Sequence, residues 1–446
     1  MLGRTQLIAI VVVIVVAVAS AGIALAALNN NENNRTNINA QLEVYGNANG
    51  DDRIDQNDLG IIRDIINSAR TFSDHPLADS NCDGTVDEAD YKMVERIIAA
   101  GSGGEKVSIN IVNHYAGGTY VDSVRYPITS AVATSSLNGM MVFKCLGIRD
   151  EFKGLSSAGG LDSVLFSEYQ HFKGKPDLGP NVYTMDIERV STLIDKENVT
   201  AVITEDNVSY AFDKGIFKSS GLDVVRVTPG SVNIEKYVSA VCMVAFLFET
   251  GGKGYVQKCS ELISWHEDFF TDLNHKLSGV KKVSAAASSM SVYVSSPNSD
   301  NTTIIKIAGA VCPLDIDTGS STTKVYNGGE DTWLNNYELD YLIMLRGSGT
   351  GYSWYGGTIE NAAGTFRTHL NNWRTLECYF NDNVYIVCGE MPVALRVAYV
   401  SQIFYQTALG QDFAYNYHAD YVEKFFGWDE DAIKGRPFSL SMSDLL

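Results

Sequence analysis

Two short acidic loops, 32 residues apart and in the same register, constrain the N-terminal third of the chain most strongly. The first reads "GNANGDDRIDQNDL" over 46–59, the second "DSNCDGTVDEADY" over 79–91. A calcium-binding loop places oxygen ligands at positions 1, 3, 5, 7, 9 and 12, with position 7 serving through its carbonyl and a carboxylate closing the sphere at 12. The first loop offers Asn47, Asn49, Asp51, Arg53 (carbonyl), Asp55 and Asp58; the second offers Asp79, Asn81, Asp83, Thr85 (carbonyl), Asp87 and Asp90. Two ions are therefore expected. Ile54 and Val86 hold position 8 and can pack inward between the loops. Position 6 prefers Gly for a sharp turn. Gly84 meets that need and Asp52 does not, but Asp tolerates left-handed geometry better than most residues, so the first site is expected to turn at Asp52 and to be weaker rather than dead.

The repeat continues beyond the ligands. Leu59, Ile62, Ile65 and Ile66 are matched 32 positions on by Tyr91, Val94, Ile97 and Ile98, which predicts one apolar face on each of two helices. Two loop–helix units, each closing on Asp at position 12, resemble a type I dockerin module over about 41–100. The resemblance implies an all-α, paired EF-hand-type module that binds calcium and docks a cohesin-like protein through Ser/Thr at positions 10 and 11. Here those positions hold Gln56–Asn57 and Glu88–Ala89, so cohesin docking carries over less well than calcium.

Residues 6–28, "QLIAIVVVIVVAVASAGIALAAL", form an uncharged run of 23 residues, long enough to span a hydrocarbon core. Arg4 before the run favours a cytoplasmic N-terminus. An uncleaved transmembrane anchor is the favoured reading, and a secretory signal with "ALA" at 24–26 as its cleavage site is the alternative. Either way the residues after Asn29 are expected outside the cell, and on the favoured reading they are anchored at the membrane surface. Sequons at Asn34, Asn198, Asn207 and Asn301 agree with an exported glycoprotein. A net charge of −19 excludes a phosphate-binding face, so no nucleic-acid partner is expected. Seven Cys without a CxxC pair argue against a zinc or redox site, and the odd count leaves at least one unpaired.

An Asn-rich stretch over 29–40 reads as a linker, and "GSGGE" within 101–106 as a flexible hinge. From 107 to 446 short β-branched runs alternate with amphipathic stretches, the signature of an α/β domain. Strands are expected at "VSINIV", "ITSAVAT", "VTAVITE", "DVVRVT", "SVYVSS", "DYLIML" and "NVYIVC", and helices over 232–249, 254–278 and 393–408. Residues 112–155 predict a hairpin, a strand ending at Thr134, a helix capped by Ser135 or Ser136, and a helix end at Gly147.

The order of these phrases resembles the iron-siderophore and cobalamin class of ABC-importer substrate-binding proteins. The phrases that carry it are "VRYPITSAVAT" and its following helix, "MDIERVSTLIDKENVTAVITED", "GLDVVRVTPGSVNIEKYVSAVCMVAFLFETGG", "WLNNYELDYLIMLRG" and "NDNVYIVCGEMPVALRVAYVSQIFYQTALG". The resemblance implies two Rossmann-like lobes, about 107–250 and about 281–446, joined by one long helix over 254–278. It also implies a ligand cleft at the carboxyl ends of the strands, formed by Ser135–Ser136, Phe166–His171 with Tyr169, Thr204–Asn207 with Glu205, and Arg346–Tyr355. Arg346, Tyr352, Trp354 and Tyr355 combine a fixed positive fork with aromatic faces, which suits a large anionic chelate. The implied function is capture of a ferric siderophore, haem or corrinoid for an ABC permease, with no catalysis.

Rival readings are a surface adhesion protein assembled through the acidic module and a polysaccharide-active enzyme carried by it. "DTGS" at 317–320 has no second copy for an aspartic-protease pair, "WHEDFF" at 265–270 lacks a second His, and "GLSSAGG" lacks a hydrolase elbow's setting.

Overall fold

The computed structural model describes residues 36–115, 118–134, 137–156, 172–179, 185–205, 214–290, 293–316, 323–326, 333–346, 359–370 and 372–445. The apolar run over 6–28, the sequons at Asn34 and Asn207 and the "DTGS" stretch lie outside these. Among the described residues no helix is long and apolar enough to cross a membrane. The chain divides into two compact units, Met1–Gly159 with Gly174–Thr271, and Gly160–Lys173 with Asp272–Leu446.

In the first unit the acidic repeat folds as two helices, α1 (Gln56–Ile66) and α2 (Glu88–Gly101). Asp55 and Asp87 cap them, accepting from Asn57 N and Ala89 N, while the N3 carboxylates of Asp58 and Asp90 accept from the cap backbone. Reciprocal capping satisfies N–H groups that the first helical turn leaves unpaired. Leu59, Ile62 and Val94 are buried together with Ala48 and Ala78, and Ile54 and Val86 pack against them. The helix faces expected from the sequence therefore meet.

The flanking segments differ from expectation. Rather than a free linker, residues 36–45 lie bonded along the unit. Thr36 N donates to Thr271 Oγ1, Ile38 N to Glu267 Oε1 and Gln41 N to Ser239 Oγ. Val44 then pairs with Ile111 as an antiparallel bridge, with Tyr45 N donating to Asn110 O and Val112 N to Glu43 O. The expected hinge at 101–105 is a bonded helix end: Gly103 N and Gly104 N donate to Ala100 O and Ala99 O, and Gly251 N donates to Gly101 O. Gly103 has φ +94, and a Cβ on Gly104 would stand 2.7 Å from Ala99 O. Glycine here serves close packing, not flexibility.

Beyond it come the hairpin strands β1 (Val107–Tyr115) and β2 (Gly118–Tyr126), and then β3 (Ala131–Ala133), α3 (Leu137–Leu146), β4 (Phe152–Leu155), α4 (Ile187–Glu197), β5 (Ala201–Glu205), α5 (Lys214–Ser219) and β6 (Asp223–Val227). The parallel sheet has the order β4-β3-β5-β6. Its β6 edge is covered by the hairpin. Buried Asn113 donates from Nδ2 to Val224 O (2.8 Å) and accepts on Oδ1 from Arg226 N (2.7 Å), so one side-chain amide stands in for a neighbouring strand.

Two helices follow, α6 (Ile234–Phe248) and α7 (Tyr255–Leu277). The Glu249 carboxylate accepts from Gly254 N, Tyr255 N and Val256 N, closing the partly buried start of α7 with negative charge. His266 of α7 is fully buried, its Nδ1 2.8 Å from Leu262 O, and burial pushes it down to about 4. It is a core histidine.

The second unit contains β7 (Ala285–Met290), β8 (Tyr293–Ser295), α8 (Asp300–Ile307), β9 (Thr323–Val325), β10 (Tyr341–Arg346), α9 (Ile359–Leu370), α10 (Glu377–Phe380), β11 (Val384–Cys388), α11 (Val393–Leu409), α12 (Phe413–Tyr421) and β12 (Ser439–Ser441). Its sheet order is β12-β11-β10-β7-β8-β9, with β7, β10 and β11 parallel. Tyr326 stacks on Trp373 within its core, ring centroids 5.6 Å apart.

Candidate functional site

In an open α/β sheet, ligands gather where two strands leave a common neighbour in opposite directions, outside the carboxyl ends. In the first unit that point lies beside β3, flanked by β4 on one side and β5 on the other. The β3 and β5 ends are tied by Thr134 Oγ1 donating to Thr204 Oγ1 at 2.6 Å, both side chains buried. A small depression of about 10 Å³ lies beside the β5 and β6 ends, lined by Phe143, Thr204, Glu205, Val227, Pro229 and Ala240 among others. Its walls are apolar, with the half-buried Glu205 as the charged group at the rim.

Beneath this edge lies Arg226, 8% exposed, whose Nη1 donates to Glu205 O at 3.3 Å. The nearby phenol of Tyr120 is raised by burial and drawn back by the Arg226 charge. Arg226 sits toward Tyr120 of the hairpin, while its strand neighbour Val227 faces the depression. The signal for Arg226 was a charged residue inside the β-branched run "DVVRVT".

In the second unit Arg346 ends β10, paired in register with Cys388 at the end of β11. Two residues beyond β11, Glu390 is pushed by burial up to about 8, and among the described residues its Oε2 meets no hydrogen-bond partner. Of the eight candidate cleft residues, Glu205 is placed with its side chain and Arg346 by its backbone. Ser135, Ser136, Tyr169, Tyr352, Trp354 and Tyr355 lie outside the described residues.

The acidic loops form the other candidate. Five bonds from backbone N–H groups to side chains recur at equivalent positions in both, besides the position 3 amide donating to the position 5 carboxylate (Asn49 to Asp51; Asn81 to Asp83). Position 3 N donates to position 12 (Asn49 to Asp58, 3.0 Å; Asn81 to Asp90, 3.1 Å). Position 5 N donates to position 3 (Asp51 to Asn49; Asp83 to Asn81), and position 7 N to position 5 (Arg53 to Asp51; Thr85 to Asp83). Position 9 N donates to position 12 (Asp55 to Asp58; Asp87 to Asp90), and position 11 N to position 9 (Asn57 to Asp55; Ala89 to Asp87). The sequence repeat is a repeat of conformation.

One expectation about the turns is corrected. Asp52 is not left-handed: Gly50 at position 4 takes φ +72, as Cys82 takes φ +58 at the same position of the second loop, and Gly84 takes φ +95. Asp52 instead pairs with Arg53 and accepts from Ser260 Oγ of α7.

Positions 1 and 12 (Asn47, Asp58, Asp79, Asp90) are buried, whereas Asn49, Asp83 and Asp87 are exposed. Burial, reinforced by the charges of Asp51 and Asp55, pushes Asp58 up to about 6; Asp79 is raised by burial and by the Asp90 charge. Crowded, desolvated carboxylates of this kind suit a hard cation with oxygen ligands. Among the described residues no three His, Cys, Asp or Glu side chains stand close enough to share a metal ion, because these carboxylates turn onto backbone N–H groups.

No known family profile matches the chain, and no curated protein does. Solved structures match in fold. The TroA-like periplasmic binding protein FepB from Veillonella parvula superposes with a TM-score of 0.54 at 12% identity, over 71% of this chain and 97% of that one. An ABC transporter solute binding protein from Sulfurospirillum deleyianum gives 0.51 at 12%, over 69% and 93%. A periplasmic solute binding protein from Veillonella parvula gives 0.51 at 15%, over 75% and 95%. The chain therefore shares the mixed α/β fold of periplasmic solute-binding proteins.

Proposed function

We propose that the chain is an exported, membrane-anchored solute-binding receptor that captures a metal chelate (a ferric siderophore, haem or corrinoid) and delivers it to an ABC permease. The observation that carries this reading is the fold shared with solute-binding proteins. On this reading the role is binding, not catalysis.

The acidic loops would each hold one calcium ion, through Asn47, Asn49, Asp51, the Arg53 carbonyl, Asp55 and Asp58 in the first, and Asp79, Asn81, Asp83, the Thr85 carbonyl, Asp87 and Asp90 in the second. Bound calcium would neutralise the crowded carboxylates and lock the loops. The bonded segments at 36–45 and 101–104 support a module built into the first unit as a stabilising base.

The absorption spectrum of the full-length protein as purified tests the ligand class. Co-purified haem, corrinoid or ferric chelate gives a visible band in stoichiometric amount. A colourless protein that also leaves haem, cobalamin and ferric siderophores unbound in equilibrium dialysis would exclude this class.

A further inference from the structure

Cys242 in α6 and Cys259 in α7 belong to neither candidate ligand set, though Cys259 is next to Ser260, which bonds Asp52 of the first acidic loop. Their sulfurs lie 3.2 Å apart, and the residues are 1% and 2% exposed. The two helices are consecutive, joined by the turn at 249–254. A covalent disulfide needs about 2.05 Å between sulfurs, so the pair is short of a bond by about 1 Å, within the reach of side-chain rotation. Of the remaining cysteines, Cys82 is exposed, Cys312 half-buried, and Cys145, Cys378 and Cys388 buried.

We propose that Cys242 and Cys259 are a disulfide in the mature protein, cross-linking α6 to the beginning of α7. In its formation two S–H bonds break and one S–S bond forms. The two electrons and two protons pass to a disulfide-bearing oxidant, which leaves as a dithiol. Because both thiols are sealed in the folded unit, the exchange takes place while the chain is still folding. Afterwards the same burial shields the bond from reductants.

The consequence is mechanical. Cys259 sits in the second turn of α7, next to Ser260, whose hydroxyl donates to Asp52 of the first acidic loop. The cross-link therefore fixes to α6 the part of α7 that carries that loop, and α7 continues beyond it to Leu277. A loop closed between residues 242 and 259 restricts the unfolded chain, so the bond raises the melting temperature of the first unit. Two thiols serving only as small apolar core groups would give no such dependence on redox state.

The test uses full-length protein, purified without reductant after export and, separately, equilibrated with a mixture of oxidised and reduced glutathione during refolding. Each sample is denatured in an alkylating reagent and mapped by mass spectrometry. The expected result is a peptide pair joined at Cys242 and Cys259, lighter by two hydrogens than the reduced pair, with five of the seven cysteines left for alkylation (7 − 2 = 5). A reductant added before folding should lower the melting temperature of wild type and leave the Cys242→Ala/Cys259→Ala double variant unchanged. Both cysteines fully alkylated in both preparations would overturn the proposal, whatever the variant does.

Discussion

Replacing Asp90 by Ala probes the acidic module at the residue on which most of the second loop converges. The Asp90 carboxylate is fully buried and accepts from Asn81 N (3.1 Å), Ser80 Oγ (3.1 Å) and Asp87 N (2.9 Å). Hydrogen bonds to a charged acceptor are worth about 1.5–3 kcal/mol each when their loss strands a buried donor. Asn81 and Asp87 border exposed loop, where water replaces part of the loss, so we expect roughly 2–4 kcal/mol in total without calcium. Asp58 accepts from two donors, Asn49 N and Asp55 N, so Asp58→Ala should cost less.

Calcium adds a second term. At 100 times its dissociation constant an ion stabilises the fold by about 2.7 kcal/mol, and a 100-fold weaker site at the same concentration leaves about 0.4 kcal/mol. Circular-dichroism melts of wild type, Asp58→Ala and Asp90→Ala, each with calcium and with chelator, separate the two terms. Asp90→Ala should melt lowest and lose most of the calcium-dependent shift. A wild-type protein indifferent to chelator, or an Asp90→Ala protein with the full shift, would refute the reasoning.

Other expectations follow from the same physics. Asn113→Ala leaves Val224 O and Arg226 N without their bridging amide and should cost roughly 2–4 kcal/mol; a urea midpoint close to wild type would mean that water seals the β6 edge. His266 and His418 are pushed by burial down to about 4 and about 3. Each stays neutral in the fold while the unfolded chain takes up a proton below about pH 6.5, so their contribution is held above that pH and lost as pH falls toward 4, on the order of 3 kcal/mol each. Imidazole resonances that titrate near 6.5 in the native protein would contradict this. Trp354→Ala should weaken ligand binding at least about 5-fold while leaving calcium-dependent folding intact, as read by titration of ligand fluorescence or absorbance.

Much of the architecture was legible because strongly patterned segments left little choice. "DYLIML" and "NVYIVC" are β10 and β11, helices expected over 232–249, 254–278 and 393–408 are α6, α7 and α11, and Gly147, at φ +76, ends α3 where a helix end was expected. β7 was missed. Its "AAASSM" has low strand propensity, yet Ala285, Ala286, Ala287 and Ser288 are fully buried between β10 and β8, where small residues pack better than large ones. The segment at 36–45 was missed for another reason. It has no periodicity, and many of its backbone partners are side chains distant in sequence. Composition cannot show such bonds. Arg226 escaped because a charge in a strand reads as an exposed position until the hairpin is seen to cover it.

The receptor reading stands or falls on differential stabilisation by a chelate. Melting temperatures of the full-length protein are to be measured with haem, cobalamin and a series of ferric siderophores, each beside its metal-free or iron-free counterpart. One chelate should raise the melting temperature in proportion to the logarithm of its concentration, reaching about 2.7 kcal/mol of added stability at 100 times its dissociation constant, while its counterpart does little. No shift with any chelate, or equal shifts with loaded and empty counterparts, would contradict capture of a metal chelate.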